Sequence, residues 1–556
     1  MRRLFRFVTE ASARGASTGE TISNSFAASA ERTPEESHPL LYQVPVQASR
    51  TVGRKAEVRT LWQNLLSGRH YQVLAGVDGI GKSAIAAEFC DTVKHSQRFS
   101  CIQWFNAQHA LQSQLQHYFA AMKGRREKNV LMVLDDVTSP EEVLTLIPEH
   151  ASVYVLMTTS AANVTSSTKM ACLSPCALSP QASQQFLPEL ALSQELEAVF
   201  HNLGFVPLLM HVASQLMKAD ICSAAQLSRI LTEKGVRRDN TLSISAALSV
   251  LLDISIEELE KTYPGARTML RIMSCFHTSD MSDAVVGAII GNAAGDFTVT
   301  ASTLGIFSPK WEEGALALHP LVAKVLRGPL EAPVLTKAAD ALLSLWPRRW
   351  SRTGSRFAYN LVWHTYTVAQ HFAACGAALT PAMVASMDRS AIFLAHVEAR
   401  DLPVAAQLWL QVYEQHVAGK GVLSADSVRM LRECGRLLHF LKDPRTEEVL
   451  QRAWNDCVMV HGKSSAEAAL ILGCLAPYLP ATKANLSLVE ESVAVLKGRL
   501  ASVDLVLARE EIRMLWQTIF VLLMCKGQYM TEMQLAIPDD LRRALERADV
   551  EAKRVR

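Results

Sequence analysis

The chain has 556 residues, too many for a single hydrophobic core, and ordinary domain lengths predict about three to five domains. Its 56 Lys and Arg residues against 54 Asp and Glu leave a formal charge of +2 without a basic stripe, which argues against nucleic acid as a partner. A composition of 49% hydrophobic and 20% charged residues excludes a largely disordered chain, and no run of about eighteen apolar residues predicts a membrane span.

The best apolar run, Met514 to Cys525, is short and interrupted by Gln517. The eleven cysteines are scattered, and the one close pair, Cys172 and Cys176, lacks the further ligands a zinc site needs. They are expected to be reduced thiols, mostly in cores.

Residues 1–45 are rich in Ser, Ala and Glu and are expected to be leader or linker. Their start, Met1-Arg2-Arg3-Leu4-Phe5-Arg6-Phe7-Val8 followed by Arg14, resembles a mitochondrial transit peptide; Glu10 and Glu20 depart from it, and a disordered basic N-terminus is the alternative. The compartment is therefore cytoplasmic or mitochondrial. Over 46–175, apolar runs at 71–75, 101–105, 130–134 and 153–157 alternate with helical patterns, predicting buried strands in a parallel α/β sheet. Pro and Ser punctuation near 175 and 180 introduces a small helical domain over 176–240. Over 241–330 several helices precede two extended pieces, Gly305–Ser308 and Ala315–Leu318, around the turn Glu312-Glu313-Gly314, an order that fits a winged helix. From 331 to 536 the pattern is all helix. Ala425-Asp426-Ser427 and Ser465-Ala466-Glu467 recur about 40 residues apart, the spacing of a two-helix repeat of the tetratricopeptide or HEAT kind, with an irregular bundle as the alternative. A charged helix or tail, 537–556, closes the chain.

The strand at 71–75 runs into Gly76-Val77-Asp78-Gly79-Ile80-Gly81-Lys82-Ser83 and then a helical segment, the strand–loop–helix order of a P-loop. Glycines let backbone N–H groups turn toward phosphates, the helix start adds its positive end, Lys82 brings a charge and Ser83 a hydroxyl for Mg2+. Some fifty residues on, the apolar strand ends in Asp135-Asp136 at the carboxyl edge of the sheet, where open α/β sheets place ligands. Asp135 is expected to hold Mg2+ through water and Asp136 to orient an attacking water, so Asp136 is the catalytic candidate.

With both motifs present, the chain resembles the NB-ARC family of STAND-class P-loop ATPases over roughly 50–330. Val52-Gly53-Arg54 with Glu57 is similar to the segment that packs near the adenine, and Val133-Leu134-Asp135-Asp136-Val137 to the extended Walker B motif. Gly204-Phe205-Val206-Pro207-Leu208 resembles the GLPL motif, whose proline packs on the base, and Leu318-His319-Pro320-Leu321-Val322 the winged-helix motif whose histidine reaches the β-phosphate of ADP. The resemblance implies ADP or ATP with Mg2+ as cofactors, Ser83 and Asp135 at the metal, and Val52, Gly53, Arg54, Gly76, Gly79, Ile80, Gly81, Lys82, Ser83, Ala84, Asp135, Thr159, Pro207 and His319 at the nucleotide. It implies a switch that rests with ADP bound, hydrolyses ATP slowly or not at all, meets a protein partner through its C-terminal helices and self-assembles on activation. Ser160 departs from the family, which has an arginine sensing the γ-phosphate after Thr158-Thr159. A structural scaffold with a degenerate nucleotide site and, less favoured, a P-loop phosphotransferase are the rival expectations.

Overall fold

In the computed structural model the described residues are 42–44 and most of 51–554, with short gaps that include 123–128, 311–314, 348–354 and 503–508. The expected leader, apart from residues 42–44, and the turn at Glu312-Glu313-Gly314 lie outside them. The chain divides into two compact units, one within Thr33–Arg349 and Asn360–Met383, the other chiefly within Val384–Arg556.

The first unit is built on a parallel sheet of β1 (Tyr42–Gln43), β2 (Tyr71–Ala75), β3 (Cys101–Asn106), β4 (Val130–Asp135), β5 (Val153–Thr159) and β6 (Met170–Leu173), in the order β1-β3-β4-β5-β2-β6. All four expected strands are present. β6 gave no sequence signal because it is only four residues long, and β1 is a two-residue edge. Alternation along the strands supplies both faces. Val73, Val130, Met132, Leu134, Val155 and Met157 pack on one side with Leu111 and Leu115, while Leu74, Leu131, Val133 and Leu156 pack on the other with Val58, Leu61, Leu65, Ile85 and Phe89. The apolar faces of the helices Lys55–Leu66 and Lys82–Lys94 thus cover one face of the sheet. Because β2 pairs with β5 and not with the strand that follows it, the chain leaves β2 and β5 in opposite directions across the sheet. Their carboxyl ends flank a crevice where open α/β sheets bind ligands.

Helices Pro180–Phe186, Gln194–Asn202, Pro207–Lys218 and Ala224–Glu233 follow, then the small hairpin of β7 (Arg237–Arg238) and β8 (Thr241–Leu242). Helices Ile244–Thr262, Ala266–Met273, Asp283–Ile290 and Ala294–Thr303 precede an antiparallel hairpin of β9 (Phe307–Lys310) and β10 (Ala315–Leu318), and helices Pro320–Arg327 and Ala332–Leu345 come after it. The hairpin begins two residues later than the sequence suggests. Gly305, at φ +75°, ends the preceding helix with Ile306 N–H donating to the Ala301 carbonyl, and this closing turn delays the strand.

The second unit is helical throughout its described residues. Helices Leu402–Lys420, Ala425–Leu441, Thr446–His461, Ala466–Leu475, Lys483–Ser502, Arg509–Glu532 and Asp539–Arg554 each pack on the next, and Ala466–Leu475 also meets Ala425–Leu441 and Arg509–Glu532. Packing of neighbours and of alternate helices gives a solenoid-like stack. The repeat seen in the sequence has a local cause. Ser424 and Ser465 both cap the helices they precede, accepting from Ser427 N–H and Ala468 N–H. Glycines mark the close crossings: a Cβ on Gly435 would stand 2.5 Å from Leu450, and one on Gly473 2.3 Å from Thr518. No single helix among the described residues is long and apolar enough to cross a membrane.

Candidate functional site

The Gly76–Ser83 loop joins β2 to the helix Lys82–Lys94, with Gly79 at φ +81° and Gly81 at φ +98°. These angles are open to glycine and strained for other residues, and they turn the loop's amides inward. Among the described residues, the N–H groups of Gly79, Gly81, Lys82 and Ser83 reach no backbone carbonyl. Orphaned donors at a helix start suit an anion. The loop is anchored at its root by Gly76 N–H donating to the Thr159 carbonyl at 3.1 Å. Lys82 is buried, its Nζ donating to the Gly76 carbonyl at 2.8 Å and the Val77 carbonyl at 3.1 Å and lying 3.6 Å from Asp78 Oδ1.

At the end of β4, Asp135 Oδ1 accepts from Ser83 Oγ at 2.8 Å and from Thr158 Oγ1 at 2.5 Å. Thr158 Oγ1 in turn accepts from Asp136 N–H at 2.8 Å, so one hydroxyl on β5 sets both acids. Burial pushes the Asp135 carboxyl up, against the two hydroxyl bonds, with Asp136 raising it further and Lys82 lowering it. Asp136 itself sits at φ +66°, a left-handed conformation that bends the chain away from the strand. A hydroxyl and a carboxylate together fit Mg2+, which seldom takes a full protein cage and draws its other ligands from phosphate and water. Thr159 is fully buried and its hydroxyl accepts from Ala161 N–H, while Ser160 is exposed.

The flanking segments close on the same loop. Arg54 is buried, its guanidinium donating to the Ile80 carbonyl at 2.7 Å, the Cys176 carbonyl at 2.7 Å and Glu57 at 2.9 Å. It therefore clamps the P-loop to the segment after β6. Val52 is partly buried beside Gly53, whose φ of +72° and close approach to Ala182 leave no room for a side chain; a Cβ there would stand 2.5 Å from Ala182. Thr51 Oγ1 reaches the Ala84 carbonyl at 3.5 Å, and Ile80 is buried.

Two further helix starts reach the loop. Pro207, first in the helix Pro207–Lys218, precedes Leu208, whose N–H donates to the Gly79 carbonyl at 3.3 Å. His319 caps the helix Pro320–Arg327, its Nδ1 accepting from Leu321 N–H at 3.1 Å. Burial pushes the His319 imidazole down to about 4; Asp78 opposes this, and Lys82 and His211 add to it. His319, Asp78, Lys82 and His211 are thus electrostatic neighbours. With Nδ1 accepting, the neutral ring carries its proton on Nε2. Two helix N-termini, at Lys82 and Pro207, meet at this loop, and the helix start at Pro320 is coupled to it electrostatically through its cap His319.

Three of these groups escaped sequence reasoning. Thr158 was noted only as the residue before Thr159, after the strand expected at 153–157. His211 lies one turn after Pro207, and the i, i+4 spacing that puts both on one helix face was the available signal. Asp78 stood in view within the P-loop, but its spacing from Lys82 acquires meaning only once the loop is folded.

No protein-family model matches the chain, and no curated protein matches it. Among solved structures it is similar to a signal transduction ATPase with numerous domains (STAND) from Pyrococcus horikoshii that carries a tetratricopeptide-repeat sensor, at 16% identity and a TM-score of 0.46, covering 93% of this chain and 79% of that one.

Proposed function

We propose that the chain is an ADP- and ATP-binding molecular switch of the STAND type, of NB-ARC character, whose C-terminal helices serve as a protein-interaction scaffold. A P-loop whose amides lack backbone carbonyl partners, met by the helix start at Pro207 and coupled electrostatically to His319, carries this reading. In it, Gly79, Gly81, Lys82 and Ser83 hold the phosphates, Ser83 and Asp135 hold Mg2+, and Thr158 fixes Asp135. Bound Mg2+ supplies charge neutralisation for the β- and γ-phosphate oxygens. His319 Nε2–H and the helix start at Pro207 reach the same anion from the segments beyond the sheet. The region 241–330 is then a winged helix that serves as a lid. Its hairpin β9–β10 and the β-bridge from Met281 to Leu316 support that reading.

Hydrolysis is slow in this reading. Asp136 is the candidate to orient water, and Ser160 stands exposed where an arginine would report the γ-phosphate. The same residue favours the rival, a scaffold that keeps its nucleotide as a permanent part of the fold.

Native purification, denaturation and chromatography of the released nucleotide test the proposal. Stoichiometric ADP from the wild type and none from Lys82→Ala supports the switch. No nucleotide from either overturns it.

A further inference from the structure

We propose that Asp78 is an internal competitor for the phosphate site, an acid carried in the P-loop itself that lowers the affinity of this chain for nucleotide. The inference rests on the nucleotide-binding reading above. In Gly76–Ser83 the only ionising residues are Asp78 and Lys82. An ammonium has three donors. Two of those on Lys82 go to the Gly76 and Val77 carbonyls, and Asp78 Oδ1 lies 3.6 Å from the same nitrogen. Two of the three donors of the lysine that should meet a phosphate are therefore taken by its own loop, and a carboxylate stands within ion-pair distance of it.

The surroundings of Asp78 strengthen the case. The helix starts at Lys82 and Pro207 and the Lys82 charge make this an anion-favouring corner, and Asp78 stands in it as the resident negative charge, within electrostatic reach of His319 as well. It is 44% exposed, so packing does not lock it there. A phosphate entering the loop takes Lys82 from a carboxylate and then remains near that carboxylate, losing on both counts. Replacing Asp78 by asparagine keeps the shape and a hydrogen-bonding group while removing the charge.

Nucleotide-stripped full-length protein titrated with a fluorescent ADP, with melting followed in the absence of nucleotide, gives two readouts of opposite sign. Asp78→Asn is expected to bind ADP roughly five- to fiftyfold more tightly at low salt, with the gain shrinking toward about 1 M salt as the repulsion is screened. Without nucleotide the same variant should melt slightly lower, having lost the partner of Lys82. A merely structural role for Asp78 would lower both stability and affinity. Wild-type binding with equal or weaker binding by Asp78→Asn overturns the inference and leaves the nucleotide reading standing. Absence of ADP and ATP binding in wild type, Asp78→Asn and Lys82→Ala alike overturns both.

Discussion

The proposed function gives His319 two jobs, one for each ring nitrogen, and they can be separated. Nδ1 caps the helix Pro320–Arg327 through Leu321 N–H, and in the proposed site Nε2–H donates to a phosphate. Asparagine places an acceptor near Nδ1 and nothing near Nε2, so His319→Asn should keep the cap and lose the phosphate contact; His319→Ala should lose both. An N-cap is worth about 0.5–2 kcal/mol, so only the alanine variant should lose that stability without ligand at pH 7. A hydrogen bond to a charged group is worth about 1.5–3 kcal/mol, so both variants should bind ADP about 10- to 150-fold more weakly. Acid adds a third readout. His319 is held at about 4 in the fold, below the ordinary histidine value of 6.5, so the unfolded chain takes up its proton first as pH falls. The neutral state is favoured above 6.5, and stability is lost progressively between 6.5 and 4, by about 2–3 kcal/mol for this ring. His319→Asn should flatten that part of the curve. Calorimetric ADP titration together with melting across pH measures all three effects, and an asparagine variant that binds ADP as tightly as wild type refutes the two-nitrogen argument.

His371 should behave like His319 in acid. Its Nε2 lies 2.5 Å from Arg327 Nη1, and burial and that guanidinium hold it at about 4; urea denaturation of His371→Gln should therefore show less loss of stability from pH 6.5 to 4 than wild type. Thr158→Val should cut Mg2+-dependent ATP binding about 10- to 100-fold, as loss of a group that orients a metal ligand does, and Thr158→Ser should restore it; a valine variant with the wild-type Mg2+ titration curve would remove Thr158 from the site. Gly473→Ala should destabilise the helical unit by about 1–3 kcal/mol, since its Cβ meets the Thr518 methyl while the Thr518 hydroxyl is tied to the Met514 carbonyl. Adding Thr518→Ser, which deletes that methyl, should recover most of the loss in chemical denaturation.

How legible each part was in the sequence depended on whether its signal is local. The strand β2, the loop and the helix from Lys82 are one continuous stretch in which apolar alternation, glycines and helix formers agree, and the element order followed directly. β4 ending on Asp135 was equally clear because burial on both faces makes a strand wholly apolar until its last residue. Thr158 was invisible for the opposite reason. A threonine in a strand fits the pleat in any case, and only the β4–β5 pairing brings its hydroxyl between Asp135 and Asp136. Arg54 shows a third limit. Its motif pointed to the nucleotide site, but its guanidinium is spent on the Ile80 and Cys176 carbonyls, partners 26 and 122 residues away that no local pattern reveals. In the second unit the repeat surfaced through the caps at Ser424 and Ser465, while the helix crossings that turn on Gly435 and Gly473 depend on neighbours in space.

The contacts around the loop also bear on how such a switch could be balanced. Between the P-loop and the helix Pro207–Lys218, the described contacts are one neutral hydrogen bond at 3.3 Å and the approach of Leu208 to Gly79, where a Cβ would stand 3.0 Å away. A neutral bond contributes about 1 kcal/mol, far short of the roughly 5.5 kcal/mol that carries a two-state equilibrium from one side to the other. The contacts between the loop and that helix would not close the switch by themselves. An anion shared by the loop, the two further helix ends and His319 adds about 0.3–1 kcal/mol per helix end and about 1.5–3 kcal/mol for the histidine bond, about 2–5 kcal/mol together, which approaches the needed scale. The margin that remains is of the size of one charge contact. In the proposed switch Asp78 subtracts from it on the nucleotide side and Ser160 withholds one contact on the ATP side, and such a switch should respond to a partner that adds a single cation near the γ-phosphate. Supplying that cation within the chain, by Ser160→Arg, should raise ATP affinity relative to ADP about 10-fold or more, and an unchanged ratio in competition binding would show that the exposed position after β5 does not face the phosphates.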